Sequence, residues 1–421
     1  MTPRSTWFFL VFSLGLTSAI SAGVGCGSSA GRVVRPPDPE SAPPVARGRG
    51  VPAMEGAMAA FLARDEARDW DEASCNGAAQ RFRQVAESPD AALDSALVAD
   101  ALYMAGMAHQ RCGQRSAARQ GYREALIANP GHCRARVGVG LAELGANRPD
   151  LAEEAFRQAV AADNRCADAY RGIAEIERKR GDLDSALTNL RRALAVEPNF
   201  VEALHEMALV HLARAEDDVS ALSLAEMVCE QTRQVAPESA ALFNTWGIIN
   251  VQQGRIVDAL GRFERAFTLD PTLYEAFMNF GQITLSFRGY EDAEGAFRAA
   301  AALNPESYDA LIGHGVALRG LGRVEEAEAR YIAARALDAE RPEAWFNLGV
   351  LHQDHLAGSA NELAEAVTHL EAFLTKAEGI DLYSDEVDAV SRCCRGNECR
   401  PGRLQNLRTA LRAMGRSASG C

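Results

Sequence analysis

The sequence predicts an all-α solenoid of about eight to nine helix-turn-helix repeats, closed by a C-terminal capping helix. Two observations carry this reading. An Ala-x4-Pro ending returns at Ala125 and Pro130, Ala193 and Pro198, Ala266 and Pro271, and Ala300 and Pro305, at steps built on 34 residues. Small and large residues also alternate at fixed offsets inside each period, as paired helices in close contact require. In such a stack no unit buries its core alone, so function belongs to an extended surface and not to a catalytic pocket.

The elements follow in order. Residues 1–25 read as an export signal: Arg4 precedes an apolar-rich stretch over residues 7–20, too short for a typical membrane span and suited to a secretory core. Residues 26–52 form a tether that begins at Cys26 and holds Pro36, Pro37, Pro39, Pro43, Pro44 and Pro52 among Gly, Ser and Arg. This composition packs no core, and at about 3 Å per residue it would reach up to roughly 80 Å from a membrane. A disordered leader of no selected length is the plainer alternative.

Residues 53–98 read as a divergent first repeat, with Ala78, Phe82 and Val85 at the repeat spacing but no small residue in the first helix. Residues 99–380 hold the regular units, beginning at Ala99, Cys133, Ala167, Val201, Ala240, Tyr274, Tyr308 and Pro342. The eighth position reads Gly106, Gly140, Ala174, Ala208, Gly247, Gly281, Gly315 and Gly349; the twentieth is Ala from Ala118 to Ala327. The twenty-fourth reads Tyr122, Phe156, Leu190, Cys229, Phe263, Phe297 and Tyr331, large side chains filling the space that the small ones leave. The Val201 unit runs 39 residues, with its surplus near 214–219, and the Pro342 unit is stretched at 356–361. Insertions of this kind belong in loops between helices.

This pattern, repeated in register, resembles the tetratricopeptide repeat (TPR) family. The resemblance implies a concave groove lined mainly by positions 2, 5, 9, 12 and 13 of the first helices. The groove candidates on that basis are Tyr103, Arg171, His205, Asn244, Met278, Gln282 and Phe346. Some members hold a terminal carboxylate through a Lys/Arg–Asn clamp at these positions; here Arg171 and Asn244 stand isolated. A mixed apolar and polar groove suits an extended segment or a partner's helix. The plainer role for about half of these residues is to pack neighbouring helices.

Cys26, placed after small residues, resembles the lipobox of bacterial lipoproteins, although Gly23 stands where that family usually has Leu. The resemblance implies that Cys26 takes a lipid and becomes the mature N-terminus. Gly27 and Ser28 after it imply sorting to the outer membrane, facing the periplasm. An ordinary cleaved signal, leaving Cys26 for a disulfide, stays open.

The ten cysteines agree with export. In the repeat register Cys75 and Cys112 fall near turns of neighbouring units, while Cys133 opens a first helix and Cys166 closes the second helix of the same unit. The expected disulfides are Cys75 with Cys112 and Cys133 with Cys166. Cys229 occupies a large core position and reads as a buried thiol. In the tail, residues 381–421, Cys393, Cys394, Cys399 and Cys421 are further disulfide candidates of open connectivity. Their spacing lacks the paired pattern of structural zinc sites, and no metal is expected. Leu404, Leu407, Leu411 and Met414 recur at helical spacing, with Arg403, Arg408, Arg412 and Arg416 on other faces, as in a capping helix. A basic helix that docks an acidic or anionic-lipid partner is the alternative.

Catalytic motifs are not sustained. His205 and His211 are six apart, whereas zinc chelation from one helical face needs four. Gly138-Val-Gly140 and Gly313-His-Gly315 complete no phosphate loop. Glu325 and Glu326 lie on a polar helix face. The net charge of −13 argues against nucleic-acid binding. No enzyme activity and no cofactor are expected.

The expected function is a membrane-anchored periplasmic scaffold that binds envelope proteins through its groove, in a motility, pilus or secretion machine. The Arg-rich, Ala-rich sequence with its loose lipobox resembles gliding-motility TPR lipoproteins of the myxobacterial type. The alternative is a TPR module assisting a cell-wall or exopolysaccharide enzyme, which the 7% aromatic content disfavours for want of sugar-stacking surfaces.

Overall fold

The computed structural model describes residues 51–67, 69–88, 94–355, 358–395 and 398–418. Cys26, the signal, most of the Pro-rich tether and Cys421 lie outside the described residues. Eighteen successive helices form nine pairs: α1 (Val51–Ala67) with α2 (Glu72–Ala86), α3 (Ser95–Arg111) with α4 (Arg115–Ala128), α5 (Cys133–Gly145) with α6 (Pro149–Ala162), α7 (Ala167–Lys179) with α8 (Leu183–Val196), and α9 (Val201–Arg214) with α10 (Ala221–Val235). The series continues with α11 (Ala240–Gln252) and α12 (Ile256–Leu269), α13 (Tyr274–Ser286) and α14 (Tyr290–Leu303), α15 (Tyr308–Gly320) and α16 (Val324–Leu337), then α17 (Pro342–Asp354) and α18 (Ala360–Ala377). The chain divides into two compact units on either side of Ser239. The predicted all-α solenoid is the observed fold.

The core explains the alternation of sizes. Tyr122, Phe156, Leu190, Cys229, Phe263, Phe297 and Tyr331 are all buried, each on a second helix. A Cβ added at Gly106, Gly140, Gly247 or Gly315 would fall inside 3.0 Å of the ring in its own repeat. Only glycine or a closely accommodated alanine lets the two backbones approach this far. Each such ring adds about 1.5–3 kcal/mol through removal from water. In the stretched last pair the partner of Gly349 is Leu370, because the surplus residues lie in the turn between α17 and α18. The surplus of the Val201 unit likewise lies between α9 and α10.

A second set of glycines meets the same rings from the following repeat. A Cβ at Gly138 would strike Tyr122, one at Gly172 would strike Phe156, and one at Gly313 would strike Phe297. Gly138 and Gly313 thus serve packing, like Gly140 and Gly315. Sequence reasoning assigned the small requirement to the eighth position alone and missed its counterpart at the sixth.

Turns and caps are specified locally. Asp94, Ser239 and Ser307 accept backbone N–H groups at the starts of α3, α11 and α15, and the His132 ring nitrogen does so for α5. Capping boxes open α2 with Asp71 and Ser74, and α18 with Ser359 and Glu362. The turn inside six of the repeats uses a left-handed residue, supplied by Gly113, Gly181, Gly254 and Gly322 and, in two of them, by Asn147 and Arg288.

The first pair departs from the pattern for a visible reason. Phe61 on α1 packs edge-on to Phe82 with ring centroids 6.0 Å apart, so a large residue takes the place of the small one. Arg111 clamps this pair to α3, giving Asp65 two hydrogen bonds at 2.7 and 2.6 Å. At the other end a 3₁₀ turn (Asp381–Tyr383), α19 (Ser384–Val390), a hairpin of β1 (Arg392–Arg395) and β2 (Glu398–Pro401), and α20 (Arg403–Ala418) complete the chain. Leu404 and Leu407 of α20 are buried in a cluster with Leu370 and Phe373 of α18.

Candidate functional site

In the unit before Ser239, two disulfides tie neighbouring helices. Cys75 in the first turn of α2 is bonded to Cys112 at the end of α3, with Cα atoms 6.3 Å apart. Cys133 is bonded to Cys166, Cα atoms 5.9 Å apart. Cys166 caps the start of α7 and does not close α6, which ends at Ala162. The shift arises because Asp163 turns the chain by accepting the N–H of Arg165. Cys229 is a buried free thiol. Of Cys393, Cys394 and Cys399 only the backbone is described; the hairpin register places Cys394 opposite Cys399.

Several first-helix groove candidates of this unit turn inward. Tyr103 is buried between Tyr122 and His132, at centroid distances of 5.7 and 5.5 Å. Arg171 is also buried and meets Glu175 at 3.0 Å, and Lys179 meets the other oxygen of the same carboxylate at 3.0 Å. Its charge is therefore matched along its own helix. His205 is half-buried. The physical cause is the narrow approach of successive first helices, which draws position 5 into their interface.

In the unit from Ser239 onward, Met278 and Phe346 are buried, Phe346 against Phe373 at 5.0 Å between centroids. Asn244 accepts a hydrogen bond from Asn279 at 2.9 Å, and Gln282 is half-buried. Asn244 thus joins two first helices. Met278, Phe346, Tyr103 and Arg171 act in packing or internal pairing, whereas Gln282, His205 and Asn244 retain partial exposure.

A pocket of about 330 Å³ opens in this second unit, where the turns after α13, α15 and α17 come together. Val316 and Val350, both at position 9, line its apolar side. Arg288, Tyr290, Arg319, Asp354, His355 and Arg403, with Gly320 and Gly322, line the rest. Arg403 of α20 is matched by Gln353 at 3.1 Å and Asp354 at 3.2 Å. Arg319 Nη1 is buried with no hydrogen-bond partner. Burial pushes the Tyr290 hydroxyl above its usual range while the Arg288 and Arg319 charges pull it back, so both guanidiniums act on this ring.

Arg288 has φ 63°, the left-handed conformation that glycine supplies in four other repeats. For an L-residue that geometry costs roughly 1–2 kcal/mol. Aligning the fifteenth position of each unit would have exposed this departure: it reads Gly113, Asn147, Gly181, Gly254, Arg288 and Gly322 in the six units of regular turn length. Gly320 at the end of α15 lets the Tyr290 ring lie against the backbone, for a Cβ there would collide with it.

Among the described residues no cluster of three or more His, Cys, Asp or Glu side chains is arranged to hold a metal, and no helix is long and apolar enough to cross a membrane.

Residues 103–165, 140–195, 278–329 and 312–379 match a tetratricopeptide repeat family model. No match was found among curated proteins. Similar solved structures include a thermophilic TPR protein of Thermus thermophilus, 20% identical, covering 44% of this chain and 99% of its own with a TM-score of 0.41. YrrB, described as a TPR protein with an unusual peptide-binding site, is 22% identical over 46% of this chain and 96% of its own, with a TM-score of 0.36. PilF of Pseudomonas aeruginosa is 16% identical over 58% of this chain and 94% of its own, with a TM-score of 0.38.

Proposed function

Taking as premise that the chain is an all-α solenoid of tetratricopeptide repeats, we propose that it is an exported scaffold for protein–protein interaction. We place it at the periplasmic face of the outer membrane, held by a lipid on Cys26, where it organises an envelope complex of the motility, pilus or secretion kind. The observation that carries the scaffold reading is that α1 to α18 form nine helix pairs in unbroken succession, with no inserted domain among the described residues. Within each unit, surface built from stacked repeats is modular, which suits extended partners.

The envelope placement is supported by the apolar stretch at residues 7–20, by the lipobox-like setting of Cys26 and by the two disulfides, bonds that persist in oxidising compartments. Affinity capture from native membranes, comparing the intact protein with Cys26→Ala, tests it. A defined set of envelope proteins that disappears with Cys26→Ala is the expected result. Retrieval of a biosynthetic enzyme alone, regardless of Cys26, would overturn the anchored scaffold.

A further inference from the structure

We infer that Cys394 and Cys399 form a third disulfide, which bridges β1 and β2 and locks the hairpin that links α19 to α20.

The pairing follows from the strand register. β1 and β2 run antiparallel with Cys394 directly across from Cys399, one step inside the closing pair of Arg395 and Glu398. Only Gly396 and Asn397 separate the strands in sequence, a dipeptide of the kind that closes two-residue hairpins. The pair beside such a loop exchanges hydrogen bonds, so the next pair is of the non-hydrogen-bonded kind, with Cα atoms about 4.5 Å apart. That separation falls within the roughly 4.4–6.8 Å that a disulfide spans. Cys393 is only one residue away but belongs to the opposite face of the strand, and its register partner is Arg400.

A second observation, outside the strands, fixes that register. Gly402 is buried against the end of α19, where an added Cβ would overlap the carbonyl oxygens of Val390 and Ser391. Ser391 and Gly402 continue the ladder by one step beyond Arg392 and Pro401. The slip that would set Cys393 against Cys399 would bring Pro401 to Ser391 in place of Gly402. Proline carries the Cβ that this position excludes. Both ends of the hairpin are also anchored, by buried Val390 on one side and by buried Leu404 and Leu407 on the other.

The chemistry is that of the two disulfides already present. Cys75 with Cys112 and Cys133 with Cys166 are bonds of an oxidising compartment. Forming the third takes one proton and one electron from each thiol. The disulfide of a protein thiol oxidant receives both pairs through a mixed-disulfide intermediate and leaves as a dithiol. The strands carry Arg392, Arg395 and Arg400 against the single Glu398, a positive excess that favours the thiolate needed for exchange. A two-stranded hairpin of four residues a side is marginal by itself, so a covalent bridge one step from its loop gives the link to α20 a fixed form.

Peptide mapping of the full-length protein tests the pairing. Free thiols are blocked with a maleimide in denaturant at acid pH, and the protein is digested with trypsin without reduction. Cleavage after Arg392, Arg395 and Arg403, but not between Arg400 and Pro401, leaves residues 393–395 and 396–403 as separate peptides unless a disulfide joins them. They are expected joined in the wild type and also in Cys393→Ser, where Cys394 is the sole cysteine of its peptide. Amide exchange over β1 and β2 should quicken roughly tenfold or more in Cys394→Ser and stay unchanged in Cys393→Ser. Blocked, separate peptides, a bond from 396–403 to 417–421, loss of the bond in Cys393→Ser, or unchanged exchange in Cys394→Ser would overturn the third disulfide.

Discussion

The hydroxyl of Tyr383 donates a hydrogen bond to Oε1 of Glu343 at 2.8 Å, tying the segment after the last helix pair to the first turn of α17. Glu343 is buried and also receives Arg341 at 2.8 Å, while Arg341 reaches Asp309 on α15 at 2.7 Å. Burial pushes the Glu343 carboxyl up, but Arg341 and the Tyr383 hydroxyl outweigh it and hold it below the ordinary carboxylate range. Tyr383→Phe should therefore loosen the C-terminal segment by about 1.5–3 kcal/mol, the worth of a hydrogen bond to a charged group. Faster amide exchange confined to α19 and α20 would register it; unchanged exchange there would refute the tie.

The same carboxylate gives a pH expectation. With its folded pKa depressed, its stabilisation is present above the unfolded value of about 4.5 and is lost as pH falls through the lower folded value. Glu343→Gln should flatten this acid-side loss in melts between pH 5 and pH 3.

His369 acts in the same direction at higher pH, from a different cause. Burial, then the charges of His352 and Arg335, lower its pKa to about 4 from 6.5. The unfolded chain takes up the proton first, so stability falls as pH drops from about 6.5 towards 4. After allowance for solvent screening the effect at pH 5 is at most about 1 kcal/mol. His369→Gln should remove it, as judged by the difference in melting temperature between pH 7 and pH 5.

The glycines at the eighth position should not be equivalent. Gly247→Ala brings a Cβ inside 3.0 Å of the Phe263 ring, whereas at Gly281 the nearest atoms of Phe297 stand at 3.0 to 3.1 Å. Overpacking costs about 1–3 kcal/mol, and the helix propensity of alanine returns about 0.5–1 kcal/mol. Gly247→Ala should lower stability clearly, while Gly281→Ala should stay within about 1 kcal/mol of wild type. Urea titration of the two variants side by side decides it.

Reduction should weaken the unit before Ser239 selectively. Sequence separations of 37 and 33 residues correspond to about 4 kcal/mol of chain-entropy stabilisation per disulfide, as an upper value. A thiol reductant should advance the unfolding of α2 to α7 in exchange experiments and leave α11 to α18 unaffected.

The steric rules of the array were legible in the sequence because they repeat: Gly140 with Phe156 and Gly315 with Tyr331 announce themselves by register. The sixth-position glycines were harder, since Gly172 answers a ring that belongs to the preceding repeat, across the boundary chosen for counting. Depth was not legible either. Arg171 and Glu175 have the spacing of a surface pair, yet neighbouring first helices bury the arginine. The pocket depends on Arg288 and Arg319, whose turns meet only when three repeats stack, and on Arg403, which arrives from 49 residues beyond Asp354.

Each buried ring that lies between two glycines, one before it in its own repeat and one after it in the next, makes the boundary between repeats arbitrary. Tyr122 sits between Gly106 and Gly138, Phe156 between Gly140 and Gly172, and Phe297 between Gly281 and Gly313. A gene duplication that copies any 34-residue window, wherever its ends fall, returns every ring to a pair of such neighbours. One that copies 33 or 35 residues rotates the next helix face away and strands a ring at the junction. The array can therefore lengthen by recombination at any point along a repeat, provided the copied length is a whole period.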